Sequence, residues 1–339
     1  MLANHMTLME KPMQIKTASS HEDATSKMKI ALILPAYNEE QTIEATVRAF
    51  HVALPEAAIW VINNRSSDET ESIARTTLSL LGCLGGVLNE SRKGKGNAVR
   101  RAFLEINTDF YVLADADLTY PADRVRDLLA PVLEGRADMV VGDRHSAGHY
   151  AAENKRALHG VGNRLVRSLV NGLFNAELAD IMSGYRVFNR RFVKNYPILV
   201  EGFEIETDMT LHALDKRYRI IEIPIEYKDR PKGSVSKLNT FSDGARVLFV
   251  IMQILRYYKP FVFFGWLSIL FFLAGLMAAV PVIQDWIQYQ YIRHVPLAIL
   301  ATGLEIVAAL MFGVGLILDS IVYQKRLDNE RQILNFPAE

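Results

Sequence analysis

Tyr111-Val-Leu-Ala-Asp115-Ala-Asp117-Leu-Thr119-Tyr-Pro121 decides the fold of this chain. Tyr111 to Ala114 is an apolar run of strand length. It runs straight into two carboxylates one residue apart and stops at a proline. In an open α/β sheet, ligands sit outside the carboxyl ends of the strands. Two acids spaced i, i+2 at such an end can turn toward one hard cation, which takes oxygen ligands and shares them with substrate phosphates. A surface turn that merely solvates the strand end would look the same, so the rest of the chain must decide.

Working outward, Lys29-Ile-Ala-Leu-Ile-Leu34 is a continuous apolar run, the signature of a strand covered on both faces. A helical pattern follows from Glu40 to His51, with Ile43, Val47 and Phe50 in phase. Ala58 to Ile62 is a second strand and Thr70 to Leu80 its helix; Gly85 to Leu88 is a short third strand. Arg92-Lys-Gly94-Lys-Gly96-Asn97 opens a helix ahead of the Asp115/Asp117 strand, and a helix over Asp123–Glu134 leads to a strand at Asp138–Val141. Strands alternating with helices predict a mainly parallel, doubly wound α/β sheet. Each polar loop follows a strand, so Tyr37, Glu39, Asn64, Asp68, Lys95, Asp115 and Asp117 gather on one edge.

Lysine plus arginine and aspartate plus glutamate each total 38, so net charge gives no case for a nucleic-acid partner. One cysteine, Cys83, excludes an intramolecular disulfide and a cysteine-based zinc site. Residues 1–27 are polar and read as a tail without a secretory apolar segment. Residues 28–237 have the composition of a soluble α/β domain. Residues 238–260 carry the amphipathic pattern of an interfacial helix.

Residues 261–283 carry no charge and are long enough to cross a bilayer, and 295–323 form a second span. The short link between them predicts a hairpin. Arg256, Lys259, Lys325, Arg326 and Arg331 flank its outer ends, against Arg293 alone in the link. That asymmetry places the α/β domain and the 324–339 tail in the cytoplasm.

Five ordered motifs carry a resemblance: Pro35-Ala-Tyr-Asn-Glu39, Gly94-Lys-Gly96, Asp115-Ala-Asp-Leu118, Ser183-Gly-Tyr-Arg-Val-Phe188 and Gly233-Ser-Val-Ser-Lys237. Together they resemble family 2 glycosyltransferases, specifically the dolichyl- or polyprenyl-phosphate sugar synthases exemplified by dolichyl-phosphate mannosyltransferase. The resemblance implies a GT-A fold, a nucleotide-sugar donor, Mg²⁺ or Mn²⁺ on Asp115 and Asp117, and inversion at the sugar.

The same resemblance assigns the donor side to Pro35, Tyr37 and Glu39, with Tyr37 stacking on a base. Asn63-Asn64 stands where the family usually has two aspartates; Asn64 still offers a donor and an acceptor to a base, and Asp68 follows in the same loop. Lys95, in a glycine-flanked turn at a helix start, suits a phosphate. Arg144 and Arg156 are candidates for the pyrophosphate or the acceptor phosphate. Arg186, Arg230, Ser236 and Lys237 are expected to position and charge-compensate an acceptor phosphate, with Arg230–Lys237 close in sequence to the membrane-facing helix, and Ser183 is expected on the substrate side.

A polyprenyl phosphate already carries about −1.5 to −2 charge, as phosphate monoesters do. It needs positioning rather than a general base. Glu206 and Asp208 sit where processive synthases keep an acceptor base, and read equally as structural. Glu305 in the second span reads as a neutral carboxyl in an oligomer interface, so a homo-oligomer is compatible with the pattern.

The expected activity is transfer of one sugar to a polyprenyl phosphate. Glucose or N-acetylglucosamine on uridine diphosphate and mannose on guanosine diphosphate are all open as donors, with a lean to uridine. Transfer to a hydroxyl of a lipid or growing glycan is the alternative enzyme, and a non-catalytic nucleotide-sugar-binding subunit the alternative class.

Overall fold

The computed structural model describes residues 29–146, 157–202, 204–227 and 243–334. The 1–27 tail, Arg156, Arg230, Ser236 and Lys237 lie outside the described residues. Strand β1 (Ile30–Ala36) shows why its sequence is apolar throughout. Ile30, Leu32 and Leu34 feed one core while Ala31 and Ile33 feed the other, because successive side chains leave opposite faces of a strand. Strand β4 (Phe110–Leu113) does the same, with Val112 on the first side and Tyr111 and Leu113 on the second.

Helix α1 (Ile43–Ala53) leads to β2 (Ala58–Asn63), α2 (Thr70–Leu80) to β3 (Gly85–Asn89), and α3 (Lys95–Glu105) to β4. Beyond β4 come α4 (Val125–Leu133), β5 (Met139–Asp143), α5 (Ala157–Phe174), β6 (Arg186–Asn189), α6 (Arg190–Asn195), α7 (Ile205–Asp215) and β7 (Ile220–Pro224). The sheet order is β3-β2-β1-β4-β6-β5-β7. Strand β6 runs antiparallel to both neighbours, β4 and β5; every other pairing is parallel. The mainly parallel sheet is as expected, but the reversed β6 was not foreseen. Its four residues include the fully buried Arg186 and have no period that reports direction.

The chain winds outward from β1 through β2 and β3, then returns to place β4 on the other side. The crevice between the carboxyl ends of β1 and β4 is the switch point at which open α/β sheets bind ligands.

A third, smaller core joins Val166 and Val170 of α5 and Leu211 of α7 to Ile254 of α8 (Asp243–Tyr258). The amphipathic segment is therefore a helix seated on the α/β domain. Helix α9 (Pro260–Tyr289) and helix α10 (Val295–Leu334) form the hairpin. Their most apolar windows are only 6% and 11% buried, so neither is the core helix of a soluble domain. A contiguous apolar exterior of this size needs an apolar environment, so the hairpin is a membrane element.

Small residues at seven-residue steps let the two helices approach. Ser268 and Gly275 are buried on one, Ala301, Ala308 and Gly315 on the other, and Ser268 Oγ donates to the Ala308 carbonyl at 2.8 Å. Glu305 Oε1 is buried at this seam; a methyl group on Gly275 would stand 2.6 Å from it. The carboxyl thus lies between the two helices of one hairpin rather than on an outer face.

Both helices outrun their apolar segments. The expected 324–339 tail is helical as far as Leu334, where Gln324 to Gln332 hold neither Gly nor Pro and mostly good helix formers. It packs back on the domain. Arg326 Nε donates to Asp215 Oδ1 at 2.8 Å, and Ile333 rests on the second core.

Candidate active site

The loops after β1, β2 and β4 interlock before any ligand is considered. Asn38 N donates to Ser66 Oγ at 3.0 Å, Glu39 N to Thr70 Oγ1 at 2.8 Å and Glu40 N to Asp68 Oδ2 at 3.3 Å. Thr42 and Thr46 on the α1 side both donate to the Ala116 carbonyl, at 2.8 and 3.1 Å, and pin the acidic loop to that helix. Asn38, Arg65 and Leu118, one in each loop, hold positive φ of 53°, 61° and 62°. Left-handed backbone at non-glycine residues is costly and collects at functional sites. Leu118, between Asp117 and Thr119, is the costliest of the three because its side chain gives no local hydrogen bond in return.

Asp117 is 3% exposed and accepts from Thr119 twice, from N at 3.2 Å and Oγ1 at 2.5 Å. Asp115 is more open, with 28% of its side chain exposed, and pairs with the Lys95 ammonium. Lys95 is 8% exposed and makes a second ion pair, 2.6 Å to Glu206 Oε1 in the first turn of α7. Burial works against the lysine charge, but Asp115 and then Glu206 outweigh it and hold Lys95 above its ordinary value. The expected phosphate-binding lysine is therefore engaged with two carboxylates.

The glycines around Lys95 have a different cause from the expected phosphate cradle. A Cβ on Gly94 would stand 2.0 Å from the Glu201 carbonyl oxygen, and one on Gly96 2.2 Å from that of Val200. Gly96 N donates to Glu201 O at 2.9 Å, so the 200–201 backbone covers the start of α3. Only glycine admits that approach.

Asn64 is likewise committed to the backbone. Its Nδ2 donates to the Arg92 carbonyl at 2.7 Å and its Oδ1 accepts from Gly94 N at 2.8 Å. Both groups expected to read a base instead clamp the glycine turn. Asp68 accepts from Thr70 N at 3.2 Å and Oγ1 at 2.5 Å, and starts α2. Tyr37 stays at the crevice mouth, with Lys93 Nζ 5.3 Å from its ring centre, and Pro35 precedes it at the end of β1. Glu39 Oε2 accepts from Thr42 Oγ1 at 3.1 Å.

The Ser183–Phe188 segment reaches the site through a residue the sequence reading passed over. A Cβ on Gly184 would lie 2.9 Å from Lys95 Nζ and 3.0 Å from Asp115 Oδ2, so this glycine lies directly on the ion pair. Ser183 is fully buried, its Oγ accepting from Tyr185 N at 3.3 Å. Arg186 is also fully buried and donates to Ser183 O at 2.7 Å, Ile181 O at 2.9 Å and Thr210 Oγ1 at 3.0 Å. That guanidinium braces the loop rather than facing an acceptor. Arg144 forks onto Asp180, at 2.7 and 3.0 Å, and lies 5.5 Å from the Tyr227 ring centre. Burial raises Asp180, but Arg144 outweighs it and holds the carboxyl below its ordinary value.

Two tyrosines were missed. Tyr120 accepts from Gly184 N at 2.8 Å, and Tyr227, in ring contact with it at 5.6 Å, bonds to Thr119. Their only sequence signal is adjacency, one to the acidic motif and one to the basic loop.

Asp115 and Asp117 fit a divalent cation by donor chemistry. Both offer hard oxygen ligands at a strand end, and Asp115 already faces a positive charge. No group of three or more His, Cys, Asp or Glu side chains among the described residues forms a closed protein cage. A pair of carboxylates that leaves positions for substrate oxygens is the arrangement Mg²⁺-type sites adopt.

Residues 31–196 match the sequence pattern of Glycosyl transferase family 2. Glycosyltransferase AglJ of Haloferax volcanii is 28% identical over 304 residues, 89% of this chain and 95% of that protein. The dolichyl-phosphate hexose transferase of the same organism is 28% identical over 219 residues, 64% of this chain and 90% of that protein. Among solved structures, glucosyl-3-phosphoglycerate synthase of Mycobacterium tuberculosis, in complex with Mn²⁺, uridine diphosphate and glucosyl-3-phosphoglycerate, shares the fold. Its TM-score is 0.51 at 22% identity, over 68% of this chain and 79% of that one. The chain is a glycosyltransferase and belongs to family 2.

Proposed function

We propose that this enzyme transfers a single hexose from a nucleotide sugar to a polyprenyl phosphate at the membrane face, with inversion. The observation that carries the reading is the Asp115/Asp117 pair at the β1–β4 switch point of a domain seated on a membrane hairpin. The names of the relatives support it, since one is a dolichyl-phosphate hexose transferase. Mg²⁺ or Mn²⁺ bound at Asp115 and Asp117 supplies Lewis-acid stabilisation to the departing nucleoside diphosphate. The solved relative holding Mn²⁺ and uridine diphosphate supports a divalent metal and the lean to a uridine donor.

The chain's own residues do the positioning. Tyr37 at the crevice mouth offers a face to the base, and the interlocked loops hold the two carboxylates before substrate arrives, which is preorganisation. An oxygen of the lipid phosphate attacks the anomeric carbon while the bond from that carbon to the diphosphate oxygen breaks. No proton has to be removed from such an acceptor. Consistent with this, the carboxylates where an acceptor base would sit are engaged: Glu206 with Lys95, and Asp208 with the phenols of Tyr196 at 2.6 Å and Tyr258 at 3.2 Å. Arg230, Ser236 and Lys237 are proposed to meet the lipid phosphate and Arg144 the donor. The clustering of Arg256, Lys259, Lys325 and Arg326 at the domain end of the hairpin supports a cytoplasmic site.

The test uses the full-length protein in detergent with labelled UDP-glucose, UDP-N-acetylglucosamine or GDP-mannose and a polyprenyl phosphate. A lipid product that releases its sugar in mild acid is expected. A product stable to mild acid would show a hydroxyl acceptor and overturn the reading.

A further inference from the structure

We propose that Glu206 is a positioning residue for the metal carboxylate Asp115, acting through Lys95. The inference rests on the reading of Asp115 as a cation ligand and goes beyond it. Lys95 and Glu206 show only 8% and 7% of their side chains to solvent, so little water screens the ammonium. Lys95 is the first residue of α3, where the positive end of the helix gives a cation no local support. It is drawn instead to two carboxylates, one on each side, and these differ in what else they can do. Asp115 is partly open and sits beside Asp117. Glu206 is buried in the first turn of α7, where the helix end favours a negative charge.

Without Glu206, Asp115 would be the sole counter-ion of a buried ammonium. A divalent cation would then leave a buried ammonium with no carboxylate partner, which is costly. Glu206 gives Lys95 a second seat and compensates its charge, so Asp115 stays available. The seat is held firmly. Helix α7 is fastened to α8 through Asp208 and Tyr258 and to α10 through Asp215 and Arg326. Thr210, one turn after Glu206, takes a hydrogen bond from Arg186. Lys95 thus behaves as a stand-in cation that can yield one carboxylate while keeping the other.

The experiment measures Mn²⁺ binding to full-length protein in detergent, by the electron paramagnetic resonance of free Mn²⁺, with no donor or acceptor present. Thermal unfolding of each variant checks the fold. Glu206→Gln is expected to weaken Mn²⁺ binding by at least about fivefold, the lower end of usual coupling between sites. Adding Lys95→Met to that variant is expected to restore binding to the wild-type level, because the competing ammonium is gone. Loss that persists in the double variant would make Glu206 a metal ligand or a purely structural residue. Unchanged binding in Glu206→Gln would overturn the proposal while leaving Asp115 as ligand. Wild-type protein that binds no Mn²⁺ would overturn both readings.

Discussion

The Tyr258 phenol donates to Asp208 Oδ1 across 3.2 Å and so hydrogen-bonds the last turn of α8 into the α/β domain. Asp208 Oδ2 also accepts from Tyr196 at 2.6 Å. Burial pushes Asp208 up, while the two phenols pull it back. Tyr258→Phe removes one of them and keeps the ring contact with Phe174. Stability should fall by about 1 kcal/mol, the usual worth of such a bond. An unfolding midpoint in detergent equal to that of wild type would refute it.

Acid should weaken the fold through His212. Burial first, and then the Lys216 charge, lower its folded pKa from 6.5 to about 4. It is packed between the Phe192, Tyr196 and Tyr218 rings. Between those two pH values the unfolded chain binds a proton that the folded chain refuses. Stability from this group is therefore complete above about pH 6.5 and is lost as pH falls toward about 4, at most about 3 kcal/mol. His212→Phe should flatten that part of the pH–stability curve, which chemical denaturation at a series of pH values can follow.

Asp117→Asn keeps an oxygen for Thr119 but loses the charge that holds the metal. Transfer should drop by at least about a hundredfold with the unfolding midpoint little changed, since metal assistance accounts for several kcal/mol of the barrier. Thr119→Val, which removes the 2.5 Å bond to Asp117 Oδ1, should show a smaller loss in the same direction. Radiolabelled transfer with and without a chelator measures both; chelator-insensitive activity would contradict the metal site.

Asn64→Asp restores what the family usually carries, yet it should harm this chain. The new carboxylate cannot donate to the Arg92 carbonyl 2.7 Å away and would repel it. A loss of about 1–3 kcal/mol is expected for a buried acceptor left unmet. Thermal unfolding of the variant, compared with Asn64→Gln, reports the cost.

Local pattern made half of this structure legible. Uninterrupted apolar runs gave β1 and β4, because both faces of those strands are buried. The charge-free 261–283 run gave α9, because a charge in the bilayer core is costly. The Asp115/Asp117 pair was visible because a strand end and its loop are contiguous in sequence.

What could not be read depends on partners far along the chain. Glu206 lies more than a hundred residues from Lys95, so no spacing announces their ion pair. The glycines at 94 and 96 looked like a phosphate cradle because sequence cannot show the 200–201 backbone lying on them. Arg186 looked like an acceptor ligand because an arginine is so seldom fully buried. Here its fork is filled by two carbonyls and a hydroxyl of its own fold. Four of the expected acceptor- and phosphate-side residues, Arg156, Arg230, Ser236 and Lys237, lie outside the described residues and stand as proposals.

Helix α10 runs unbroken for 40 residues, about 60 Å at 1.5 Å per residue, against an apolar bilayer core of about 30 Å. Residues 324–334, about 16 Å of it at 1.5 Å per residue, continue past the apolar span as one rod, and Arg326 fastens that rod to the end of α7. The stand-off between the catalytic crevice and the hydrocarbon is built into one rod instead of being left to a linker. The rod is a ruler of fixed length between the membrane element and the α/β domain.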